Sequence, residues 1–102
     1  MESEQREVAL SAIEAYIWDL REPRRKYKKQ KFVQSSYSRF AAEELYYYVE
    51  KHDDISPIQA VEQFSKLMDE YSCSVKNEEM SFVFSVAHII AVDVLDILYS
   101  LI

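Results

Sequence analysis

A chain of 102 residues with 49% apolar side chains is long enough for one domain with its own hydrophobic core, without disulfides or metals. The single cysteine, Cys73, rules out an internal disulfide, the absence of glycine removes every Gly-rich phosphate-cradling loop, and a formal charge of −6 argues against a surface given over wholly to nucleic acid. Met1 to Glu14 is charged from the outset, so no secretory leader is read there and a reducing, cytoplasmic setting is expected.

The first helix is expected from Ser3 to Leu20, with Ser3 as cap and Glu4 and Glu7 in the first turn, where they suit the positive end of the helix dipole. Ala9, Leu10, Ile13, Tyr16, Ile17 and Leu20 recur at three- and four-residue steps and form its core face. Trp18 points off that stripe; it is expected to cover a neighbouring loop, the other reading being a surface contact residue. Pro23 disfavours a helical Glu22 and so ends the element near that point.

A basic segment follows. Of the twelve Lys and Arg, seven fall in the eleven residues 21–31, leaving five against seventeen acids in the rest of the chain. Arg21, Arg24, Arg25, Lys26, Lys28, Lys29 and Lys31, with Tyr27 among them, are the candidate partner-binding residues. Such a stretch suits an acidic protein surface, or phosphates with the aromatic adding a stack; it also suits a solvated link that balances acidic faces elsewhere.

The second helix is expected from Phe32 to Lys51, or from Ser36 if the serines at 35, 36 and 38 mark its start. Phe32, Val33, Tyr37, Phe40, Ala41, Leu45, Tyr48 and Val49 are taken as its buried stripe, with Arg39, Glu43, Tyr47, Glu50 and Lys51 opposite. Tyr46 and Tyr47 flank that stripe and are read as helix packing. After His52-Asp53-Asp54-Ile55, the third helix opens on a capping box: Ser56 as cap, Pro57 in the first position, Gln59 reaching back. Val61, Phe64, Leu67, Met68 and Tyr71 are its expected core. With no glycine to take positive φ, helix ends fall to His52, Asp53, Asp54 or Asn77, or are made in another way.

Asn77 is expected to cap the last helix, with Glu78 and Glu79 in its first turn. From Phe82 to Ile102 every residue is apolar except Ser85, His88, Asp93, Asp96 and Ser100. At about 100° per residue these five share one arc of about 140°. A helix so apolar needs cover on most sides. As a membrane span it would hold two carboxylates, each costing about 2.5–3.5 kcal/mol near a bilayer centre, and as a strand it is far too long. The fold expected is an all-α, single-domain four-helix bundle with a nearly buried C-terminal helix, in which helices two and three, and three and four, pack antiparallel, while the longer basic link leaves the placement of helix one open.

His88, Asp93 and Asp96 are the one constellation with the look of chemistry. His88 and Asp96 are eight residues apart, about 12 Å along a helix, too far to share an ion directly. Asp93 with Asp96 could hold a divalent ion if another helix supplied acids, as in all-helical pyrophosphohydrolases, but Glu4 with Glu7 and the adjacent Glu43 and Glu44 depart from the paired E-x-x-E and E-x-x-D pattern. The favoured reading is a polar seam satisfied by Ser, Tyr or Arg of neighbouring helices. Cys73 has no histidine in local register and reads as a structural thiol. No catalytic residue, metal or cofactor is therefore assigned. The chain is expected to be a small interaction or regulatory protein that binds another protein through helical faces and residues 21–31. A metal-dependent hydrolase at Asp93 and Asp96, and a nucleic-acid module at Arg21 to Lys31, are the alternatives. No membrane partner is expected, and the apolar ending Leu98, Tyr99, Leu101, Ile102 leaves a second copy as a candidate partner.

Overall fold

The signals for helix starts and stops are strongest in the second half of the chain, and there the elements fall where the residues direct them. The computed structural model describes residues 2–18 and 31–100, and their side chains apart from 2–3 and 31–36. Four helices follow one another: α1 (Glu2–Ile17), α2 (Lys31–Lys51), α3 (Pro57–Ser74) and α4 (Glu78–Tyr99). The arrangement is an all-α bundle of four helices in a single body, and no strand occurs among the described residues. α1 is already helical at Glu2, so Ser3 lies inside its first turn and is not its cap. It gives way to a turn at Trp18. α2 is helical from Lys31, which removes the later start at Ser36.

Ser56 begins α3 as expected: its hydroxyl accepts from the Gln59 N–H at 3.2 Å, and the Gln59 side chain accepts from the Ser56 N–H at 3.2 Å. Asn77 begins α4, its side-chain oxygen accepting from the Met80 N–H at 3.0 Å. The helix ends that glycine usually supplies are made with negative φ. α3 stops at Val75 in extended backbone (φ −79°) and α4 at Ser100 in helical backbone (φ −69°). At the end of α2, His52 stacks on Tyr48 with ring centres 4.0 Å apart, and its Nδ1 lies 2.8 Å from the Tyr48 carbonyl oxygen. The imidazole thus covers a carbonyl at the end of the helix.

α3 packs along α4, α1 along α2, and α2 against α4 joins the two pairs. Ser81 reaching the Ser72 carbonyl, His88 beside Ser65 and Tyr99 beside Glu62 place α3 and α4 antiparallel. Arg6 at the end of α2 does the same for α1 and α2. The core runs through the middle: Ala9, Ile13 and Tyr16 of α1; Ala41, Ala42, Leu45 and Val49 of α2; Ala60, Val61 and Phe64 of α3; Val86, Ala87, Ile90, Ala91, Val94 and Leu98 of α4. α4 supplies the most buried positions. By length and composition it could cross a membrane, but half of that stretch is enclosed by its neighbours. A strip comprising Phe84, His88, Val92, Leu95 and Tyr99 remains at the surface to varying degrees.

Among the described side chains, two expected core residues stand exposed. Phe40 is 54% exposed, and Tyr71 is 44% exposed. Phe40 fails because the buried face of α2 is centred on Ala41, Ala42, Leu45 and Val49, from which it is turned by about 155° at 100° per residue. Tyr71 is in register with Phe64 and Met68 but stands near the end of α3, where α1 gives no cover. The approaches of α1 to α4 are at Asp93 and Ile97, in the C-terminal half of α4. The other end keeps Tyr71 against Phe84, with ring centres 5.4 Å apart, and leaves Met80 exposed.

Candidate functional site

The polar arc of α4 is divided among neighbours. Asp93 is 5% exposed, and the Tyr16 hydroxyl of α1 donates to its carboxylate at 3.3 Å. His88 faces α3 instead: its Nδ1 lies 2.9 Å from the Ser65 carbonyl oxygen and 3.1 Å from the Ser65 hydroxyl. A carbonyl can only accept, so Nδ1 carries the proton and the ring ties α4 to the middle of α3. Ser100 closes the arc by donating to the Ile97 carbonyl at 2.6 Å. Asp96, one turn from Asp93, is exposed.

Tyrosine and serine of neighbouring helices thus partner Asp93 and His88. The two carboxylates that a divalent ion would need are in different surroundings, one inside and one in water. Among the described residues, no group of three or more His, Cys, Asp or Glu is placed to hold a metal ion. Cys73 is exposed near the end of α3, with the Ser72 hydroxyl 4.0 Å from its sulfur. Arg21, Arg24, Arg25, Lys26, Tyr27, Lys28 and Lys29 lie outside the described residues, and of Lys31 only the helical backbone is described.

The surface feature that stands out is on the other pair of helices. Trp18, at the end of α1, is 63% exposed, and the Arg39 guanidinium lies over its ring, 5.7 Å from the centroid. Next to Arg39 is the exposed Phe40, and two turns further along α2 is Tyr47, 63% exposed. At 100° per residue Phe40 and Tyr47 are within about 20° of each other, on the side of α2 that faces away from the core. Tyr46 beside it turns inward, half-buried and bonded to Glu14. Burial and that bond to a carboxylate both hold its hydroxyl above the usual phenol range. Its ring meets Tyr47 edge-on at 6.5 Å.

The same two helices are rich in exposed acids. Glu4, Glu7 and Glu14 on α1 and Glu43, Glu44 and Glu50 on α2 are all exposed, and among the described side chains the exposed cations of α2 are Arg39 and Lys51. Between α1 and α4 lies a shallow open groove lined by Glu7, Val8, Ser11, Ala12 and Ile97.

Arg6 is a second feature that periodicity did not disclose. It is half-buried, and its guanidinium donates to the Val49 carbonyl at 2.7 Å and the Ile55 carbonyl at 3.1 Å. A cation at the negative end of α2 thereby fastens α1 to the α2–α3 connection. Among residues close in sequence, nothing marks Arg6 for this role, since its partners are forty-three and forty-nine positions away. Phe40 was open to a stricter wheel, because Ala42 and Ser38 lie on the buried side that its inclusion would displace.

No family model matches the chain, and neither does any curated protein or solved structure.

Proposed function

We propose that the chain is a non-catalytic protein-binding module whose contact surface is the outer face of α1 and α2. The observation that carries this reading is the exposure of Trp18, with Arg39 over its ring, and of Phe40 and Tyr47 on the outer sides of α1 and α2. Large aromatic rings and arginine concentrate the energy of protein–protein contacts, because they bury much area for few frozen torsions. In water these rings are costly to display, and a partner that covered them would gain about 25 cal/mol for each Å² of apolar surface removed from solvent. The exposed acids of these two helices oppose a phosphate backbone on this face and favour a protein over a nucleic acid. The basic residues 21–31 begin three positions after Trp18 in the chain and supply a second, oppositely charged contact element.

The test compares the wild-type chain with a Phe40→Glu/Tyr47→Glu variant as bait in a native extract, with bound proteins quantified by mass spectrometry. Both positions are exposed, so the variant is expected to keep its helical signal and its urea midpoint. A specific partner retained by the wild type and lost from the folded variant is the expected result. An identical set of bound proteins on both baits overturns the reading.

A further inference from the structure

The two charged regions of this chain complement each other, and we infer that the aromatic outer face of α1 and α2 is occupied by the Arg21–Lys31 segment of a second copy. The inference rests on the protein-binding face described above. It adds the identity of the occupant. Among the described side chains of α1 and α2, six exposed carboxylates stand against two exposed cations, and one of these cations, Arg39, is already engaged with the Trp18 ring. A ligand for such a surface should be rich in Lys and Arg and should bring an apolar or aromatic side chain to meet the rings. The segment 21–31 has that composition: seven cations, one acid and Tyr27.

A two-fold arrangement lets each copy give its basic segment and receive its partner's, so that every favourable contact occurs twice. It also puts the uneven charge distribution of the chain to use between copies. Pooling seven of twelve cations in one link leaves the remaining surface with five against seventeen acids, a self-repelling body that a second copy's segment would neutralise.

Sedimentation velocity on the full chain at low and at high salt decides the matter, with three variants. One reverses the face (Glu43→Lys/Glu44→Lys/Glu50→Lys), one neutralises the segment by replacing its seven cations with Gln, and one is Phe40→Glu/Tyr47→Glu. The wild type is expected to be dimeric at low salt and to lose at least about tenfold in association at about 0.5 M salt, where charges more than a few Å apart are screened. Each variant alone should be monomeric. The face-reversed and segment-neutralised chains, mixed, should recover one intact half of the interface and associate with each other, more weakly than the wild type.

A wild type that stays monomeric at low salt overturns the inference, including the case in which the segment covers the face of its own copy. So does a dimer that survives face reversal, since it would be using another surface, such as the exposed strip of α4. Loss of a foreign partner from the Phe40→Glu/Tyr47→Glu bait alongside a monomeric wild type would leave the binding face standing and remove only the second copy as its occupant.

Discussion

The two helix pairs of this bundle are built on different terms. α3 and α4 are joined by three residues and each opens on a side-chain cap, and the seam between them is closed by His88 on Ser65 and Ser81 on the Ser72 carbonyl. α1 and α2 are held by Arg6, a cation borrowed across the molecule, and expose Trp18, Phe40 and Tyr47 on their outer side. In the first pair two polar contacts tie one helix to the other along the seam. The second pair carries its most exposed rings, Trp18 and Tyr47, on its outer side. All four helices contribute to the one core, so the difference between the pairs lies in their seams and outer sides, and the binding role proposed above rests on the outer side of the second.

Mutations can break this division, beginning in the shared core. Ile90, fully buried on α4 among side chains of its neighbours, is expected to cost about 2–5 kcal/mol when replaced by alanine, because the lost contacts and the cavity add. Urea unfolding measures it. A loss no larger than that of an exposed α2 residue such as Tyr47, within about 0.5 kcal/mol of zero, would mean that α4 is not the core helix.

Arg6→Ala removes the clamp between α1 and the end of α2 and leaves two carbonyls without their charged donor, so a loss of about 1.5–3 kcal/mol is expected by the same measurement. Arg6→Lys should restore only part of it, since an ammonium cannot span both carbonyls with a fixed fork. Full recovery by lysine would show that charge alone, and not the two-pronged geometry, holds α1.

Two serines sharpen the contrast at smaller scale. Ser56→Ala removes the cap of α3 and should lower stability by about 1 kcal/mol. Ser38→Ala on α2 should do the opposite. Ser38 is buried and its hydroxyl finds no hydrogen-bond partner among the described residues, so alanine relieves an unmet polar group in a helix it also favours, a gain on the order of 0.5–1 kcal/mol. Equal signs for the two changes would mean that a bonded cap and an unbonded buried hydroxyl weigh alike in these helices.

The smallest effect is in alkaline solution. Hydrogen bonds from Tyr37 to Glu79 at 2.5 Å and from Tyr99 to Glu62 hold both phenols above their ordinary value of 10.0, the bond itself being the largest cause in each case. A phenol that binds its proton more tightly when folded adds stability in full below about pH 10 and loses it as pH rises through the raised value. The urea midpoint of the wild type should therefore fall above pH 10, and fall less in a Tyr37→Phe/Tyr99→Phe variant. Parallel curves would exclude these bonds as its source.

Which parts of this arrangement were legible beforehand follows from the range of each interaction. The capping box at Ser56, the cap at Asn77 and the apolar run of α4 involve residues three or four apart, and each lies where periodicity placed it. The polar seam was legible as a class of contact, though not as the pairs Tyr16 with Asp93 and Ser65 with His88. At Phe40 and Tyr71 an aromatic residue on an apolar stripe is exposed. Hydrophobicity states a preference for burial, but whether cover exists depends on where other helices stop.

From its residues alone the chain is determined to be helical, to end in the helix that the others must shelter, and to carry its cations in one short stretch. These properties belong to single segments, because backbone hydrogen bonding, capping and charge composition are local. Only tertiary structure decided that Asp93 is inside while Asp96 is in water, that Arg6 closes α2, and that Trp18, Arg39, Phe40 and Tyr47 stay exposed. The physical reason is that burial and pairing between residues up to seventy-seven positions apart depend on how helices of unequal length are laid against each other, which no single segment contains.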